Sequence, residues 1–139
     1  MKLTYLEASK ALNASIEKAN AFNIPVSIAV VDNGGHLIAF ARLDSVYGVI
    51  DFAIRKAKTA VMFGVDSEVM GEIIAGADVQ GYGMLMSNGG LLTLPGGAVI
   101  KDAEGISLVQ LALRVELCIK IGKLRKQELN HLLDFVIYL

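Results

Sequence analysis

The segment VVDNGGHLIAFAR, from Val30 to Arg42, constrains the fold more than any other stretch. Two runs of β-favouring residues, Val26 to Val31 and His36 to Arg42, meet across Asp32-Asn33-Gly34-Gly35. Asn-Gly tolerates the positive φ that a tight turn demands. An antiparallel hairpin is therefore expected, with Leu37, Ala39 and Ala41 on one face and Ile38, Phe40 and Arg42 on the other.

Helical signals flank this hairpin. Thr4 and Glu7 have the spacing of a capping box, and Ala8, Leu12, Ile16 and Ala19 recur at helical intervals. A helix over about residues 4–22 follows, stopped by Asn23-Ile24-Pro25 because proline lacks an amide. Ala53, Ala57 and Ala60 mark a second helix over roughly 49–63, with Arg55, Lys56 and Lys58 expected toward water and Gly64 as terminator. Ser67 is expected to cap a short third helix through Ile74.

Glycines then punctuate GYGMLMSNGG and LLTLPGGAVIKDAEG. The pattern suits either turns simply forced by glycine or two strands and a loop that closely approaches a ligand or a subunit partner, with a strand at Ala98–Lys101 and a turn at 102–105. After Gly105 the punctuation stops. Residues 106–121 suit either a strand followed by a helix or one helix, and 124–137 have a helical pattern.

Whole-chain properties exclude several functions. Thirteen Lys and Arg against fourteen Asp and Glu give no broad basic face, so nucleic-acid binding is not expected. Cys118 stands alone, which excludes an internal disulfide and suits a reducing, cytoplasmic setting. No signal-peptide apolar block and no 18-residue apolar run are present, so no membrane association is expected.

Few chemically active groups remain. The sequence has no GxxxxGK[ST] phosphate loop, HExxH, CxxC or GxSxG motif. His36 can act as an iron or haem ligand, or serve as an ordinary hairpin-edge residue. His131 reads as a helix-surface residue. Arg42, Asp44 and Asp51 can line a small polar pocket or form a salt-bridged loop. Met84-Leu85-Met86 can cover a flat apolar cofactor, with the Tyr82 hydroxyl at its edge, or fill a core.

In order, VVDNGGHLIAFARLD, IDFAIRKAKTAVMF and GGLLTLPGGAVIKDAEG resemble the GlcG/HbpS-like haem-binding family. That family includes the carboxy-terminal domain of PduO-type adenosyltransferases and small proteins of diol- and glycerol-utilisation clusters. The resemblance covers roughly residues 4–105. It implies an α/β (α+β) single domain, an antiparallel sheet flanked by helices, that tends to form homo-oligomers. Haem is the cofactor it suggests, with His36, Arg42, Tyr82, Pro95, Gly96 and Gly97 as binding candidates and His36 as the metal ligand. The expected organisation is a core over 1–105 and a divergent tail over 106–139 that covers the sheet or enters an oligomer interface. Divergence and a reading-frame change near residue 106 are both open explanations of that tail.

Three functions compete. One is a small haem- or ligand-binding accessory protein. Another is a non-catalytic oligomeric subunit that supports a diol- or glycerol-utilisation enzyme. The last is an enzyme acting on a small polar metabolite, with Arg42 as anion clamp and Asp44 or Asp51 moving a proton.

Overall fold

The computed structural model describes residues 3–101 and 107–112. The expected turn at 102–105, Cys118, His131 and the helical pattern over 124–137 lie outside the described residues. Helix α1 (Tyr5–Ala21) leads into strands β1 (Val26–Val31) and β2 (Leu37–Leu43). Helices α2 (Gly48–Phe63), α3 (Ser67–Ala75) and α4 (Val79–Met86) follow, then β3 (Gly97–Lys101) and β4 (Ser107–Ala112). The strands form an antiparallel sheet in the order β2-β1-β4-β3. The start of the sequence's unpunctuated tail is thus a strand in the middle of the sheet.

Both faces of β1 are covered, and every one of its residues is buried. Val26, Ile28 and Val30 pack with Ala8, Ala11 and Ala19 of α1. Ala29 and Val31 point the other way, against Ala53 and Ala57 of α2. The period-two alternation of a strand thereby supplies two cores from six residues. Burying each Val or Ile of β1 is worth about 1.5–3 kcal/mol. Small side chains on α1 and α2 let both helices lie close to the sheet.

The capping box of α1 forms as expected. The Thr4 amide donates to Glu7 Oε2 at 2.8 Å, and the Glu7 amide donates to Thr4 Oγ1 at 3.3 Å. The Thr4 hydroxyl donates to the same Oε2 at 2.6 Å, and this bond, with the Thr4 amide's, holds the Glu7 carboxyl below its usual pKa. At the other end of α2, Gly64 adopts the left-handed conformation (φ 65°) that closes many helices.

Four local expectations are corrected. In the hairpin, positive φ falls on Gly35 (77°), not on Asn33 or Gly34. The loop closes through Gly35 N–H donating to the Asp32 carbonyl at 2.9 Å, a longer connection than a two-residue turn. A bulge between Val30 and Val31 then shifts the register, so Ile38 packs beside the α1 core while Phe40 faces α2.

Lys56, expected in water, is wholly buried, and its Nζ donates to the Pro95 carbonyl at 3.0 Å. Ser67 lies inside α3, and Asp66 takes the cap position. Finally, residues 79–86 form α4 where a strand or glycine-forced turns were expected. Gly81 makes this packing possible, since a Cβ there would run into the Ile74 carbonyl of α3.

Candidate functional site

The β1–β2 turn organises the His36 site. One Asp32 oxygen, Oδ1, accepts the amides of Gly34 and His36, both at 2.9 Å. Such bonds are the usual reason for aspartate at the start of a turn. His36 Nδ1 lies 3.1 Å from the same oxygen and 3.3 Å from Oδ2. The imidazole folds back over Gly34, where a Cβ would stand 2.7 Å from His36 Cε1. A side chain at Gly34 would push the ring out of this position.

Asp32's carboxyl is held below the usual carboxylate range, chiefly by the His36 backbone amide and further by Gly34 and the imidazole, against a partial desolvation penalty. An ionised Asp32 can only accept, so in the neutral imidazole Nδ1 carries the shared proton and the Nε2 lone pair is left free. The His36 side chain is 81% exposed. Histidines that ligate metals commonly donate their other ring N–H to a carboxylate in this way. Among the described residues, no group of three or more His, Cys, Asp or Glu gathers to hold a metal.

The other sequence candidates occupy different places. Arg42 on β2 donates through Nε to the Ser45 carbonyl at 2.8 Å and stacks over the Tyr47 ring, 4.7 Å from its centroid. Asp44 sits at φ 53° just after β2. Asp51 pairs with Arg55 at 3.6 Å on α2. Arg42 is thus held locally by Ser45 and Tyr47, and Asp51 pairs locally with Arg55. Tyr82 is exposed on α4.

Pro95 to Gly97 are drawn onto α2 and α3. Lys56 Nζ donates to the Pro95 carbonyl, while Ser67 Oγ donates to the Leu94 carbonyl at 2.7 Å and accepts the Gly97 amide at 2.9 Å. Asp66 Oδ1 accepts the Val99 amide at 2.9 Å. A Cβ on Gly97 would lie 2.5 Å from the Lys56 carbonyl oxygen. The close approach anticipated from these glycines is made to a helix of the same chain.

A family profile described as "Haem degrading protein HbpS-like" matches residues 3–109. The chain belongs to this family. Protein GlcG of Escherichia coli K12 is 31% identical over 112 residues, spanning 73% of this chain and 75% of that protein. A double mutant of HbpS from Streptomyces reticuli superposes with a TM-score of 0.71 at 30% identity, over 82% of this chain and 75% of that one. The PduOC:heme complex shares the fold, with a TM-score of 0.73 at 21% identity over 98% of this chain and 94% of that one. The HbpS/GlcG fold accounts for the small antiparallel sheet covered by helices on both faces. Among the described residues, no helix is long and apolar enough to cross a membrane.

Sequence reasoning passed over one cleft. Asp51, Arg55, Lys58 and Met62 line one side of a space of about 330 Å³, and Asn88 to Leu91 line the other. The spacing of the first four places them on one face of α2, and that periodicity was the available signal. The hairpin turn abuts this face, for a Cβ on Gly35 would stand 3.3 Å from Lys58 Cγ.

Proposed function

We propose that this HbpS/GlcG-like chain is a ligand-binding protein whose ligand is haem, engaged through His36. The observation that carries the reading is the Asp32–His36 pair, which leaves an exposed imidazole with a free Nε2. Support also comes from PduOC, a relative of the same fold whose structure is a heme complex. The donor set fits a haem iron that His36 Nε2 would hold, since a carboxylate on Nδ1 fixes the tautomer and raises the basicity of the other nitrogen. When bound, haem supplies redox-active iron. Asp32 holds the Nδ1 proton, and Gly34 leaves the ring its space.

Haem titration, followed in the Soret region, tests the proposal. A saturable shift is expected, lost in His36→Ala and weakened about 10–100-fold in Asp32→Asn. No shift at micromolar haem in either iron oxidation state, or an unchanged titration in His36→Ala, refutes it.

A second reading, an oligomeric accessory subunit, is favoured by α4. Val79, Tyr82 and Met86 are each about three-quarters exposed there. Apolar exposure of this kind marks contact surfaces. A diol- or glycerol-utilisation enzyme is the partner suggested by the family resemblance. Native mass spectrometry is expected to show an assembly of several copies, and a monomer at every concentration counts against this reading.

A further inference from the structure

The cleft between α2 and the Asn88–Gly90 turn has a built cationic wall. Arg55 Nη2 donates to the Gly90 carbonyl at 3.1 Å, which fixes the guanidinium against the turn. That approach needs glycine, because a Cβ on Gly90 would stand 2.6 Å from Nη2. Asn88, Gly89 and Gly90 adopt φ values of 54°, 77° and 94° in succession. Glycine takes this left-handed backbone freely and asparagine tolerates it, so a tight turn can meet the cleft with backbone in place of bulk. A Cβ on Gly89 would touch nothing within 4 Å, so the turn is open at that position.

The charges are not balanced. Arg55 and Lys58 face the cleft with one carboxylate, Asp51. The Asp51–Arg55 contact is 3.6 Å long, and Asp51's side chain is 67% exposed. An exposed pair of that length is weak, and it leaves most of the five guanidinium donors unused. Lys58 is exposed and has no ion-pair partner among the described residues. Two cations separated by one helical turn on the same face, one held by a glycine turn, suit a planar or tetrahedral oxyanion.

We propose that this cleft binds a small free oxyanion, a carboxylate or a phosphate, with Arg55 as the oriented fork and Lys58 as the second cation. Haem also carries carboxylates, so the same chemistry has two sources; the proposal commits to the free anion and does not depend on haem binding at His36. Met62 and Leu91 line the cleft beside these cations and give an apolar contact for the remainder of a small organic acid.

The test is an NMR titration of the haem-free full chain with inorganic phosphate and, separately, with acetate, at constant ionic strength set by chloride. Saturable shifts are expected at the Gly89 and Gly90 amides and the Arg55 side chain at millimolar anion. Arg55→Gln and Lys58→Gln are each expected to weaken binding about tenfold or more, the loss typical of a hydrogen bond to a charged group. Gly90→Ala weakens it by displacing the guanidinium. Lys10→Gln on α1 leaves it unchanged, and so does His36→Ala, which separates this site from the haem proposal. Unchanged amide signals elsewhere report that each variant is folded.

Shifts that chloride reproduces, that do not saturate, or that persist in both Arg55→Gln and Lys58→Gln overturn the proposal. A chain in which those two variants lose haem affinity while phosphate and acetate produce no shift also overturns it, assigning the cations to haem carboxylates instead.

Discussion

Adding one methyl group should have opposite effects at two glycines. In Gly97→Ala, the new Cβ lands 2.5 Å from the Lys56 carbonyl oxygen, 2.8 Å from its carbonyl carbon and 2.8 Å from Ser67 Oγ. Two of those atoms are helix backbone and the third is held by the Leu94 carbonyl, so β3 must move away from α2. Overpacking of this kind costs about 1–3 kcal/mol. Losing the Gly97–Ser67 hydrogen bond adds about 1 kcal/mol. A stiffer unfolded chain offsets about 0.4–1 kcal/mol. The net expectation is a destabilisation of about 1–3.5 kcal/mol.

Gly83→Ala provides the contrast. Gly83 lies within α4, with nothing within 4 Å of its Cβ position, so alanine should stabilise by about 0.5–1 kcal/mol. Urea unfolding of the two variants and the parent, followed by circular dichroism, reads both effects. Equal midpoints for Gly97→Ala and the parent would show that the Pro95–Gly97 bend is not pinned to α2, and the packing account of that bend would fail.

Two further outcomes follow from the same contacts. Ser67→Ala leaves the Leu94 carbonyl and the buried Gly97 amide without their hydroxyl, and should cost about 1–3 kcal/mol in the same urea assay. Asp32 has a folded-state pKa below its unfolded one, so its contribution is complete above the usual carboxylate pKa and is lost as pH falls through the folded value. Urea midpoints at about pH 6 and about pH 3 should therefore differ more in the parent than in Asp32→Asn; an equal difference contradicts the assignment.

Local chemistry made much of this fold legible. The Thr4–Glu7 box, the alanine face of α2 and the Gly64 stop depend on neighbours a few residues apart, and each appears in place. His36 was also visible, but its orientation by Asp32 depends on where the turn puts its positive φ. What was misread depends on distant partners. Gly81 and Gly83 argue against a helix, and Gly81 finds its reason only when α3 lies alongside. Lys56 reads as a surface residue until the Pro95 carbonyl arrives to meet its ammonium. Ser67 reads as a cap until β3 takes its hydroxyl. The cleft joins Arg55 to Gly90 across 35 positions, so no window of the sequence contained it.

The position of β4 also has a consequence for biosynthesis. Among the described strands, β3 has no neighbour except β4, and β1 meets β3 only through it. During translation, the opening hairpin and its helices must wait for residues 107–112 before the sheet can close, and such long-range closure is slow. A premature stop upstream of Ser107 would not merely trim an edge. It would leave a two-stranded ribbon and an orphaned β3, each exposing backbone that invites aggregation.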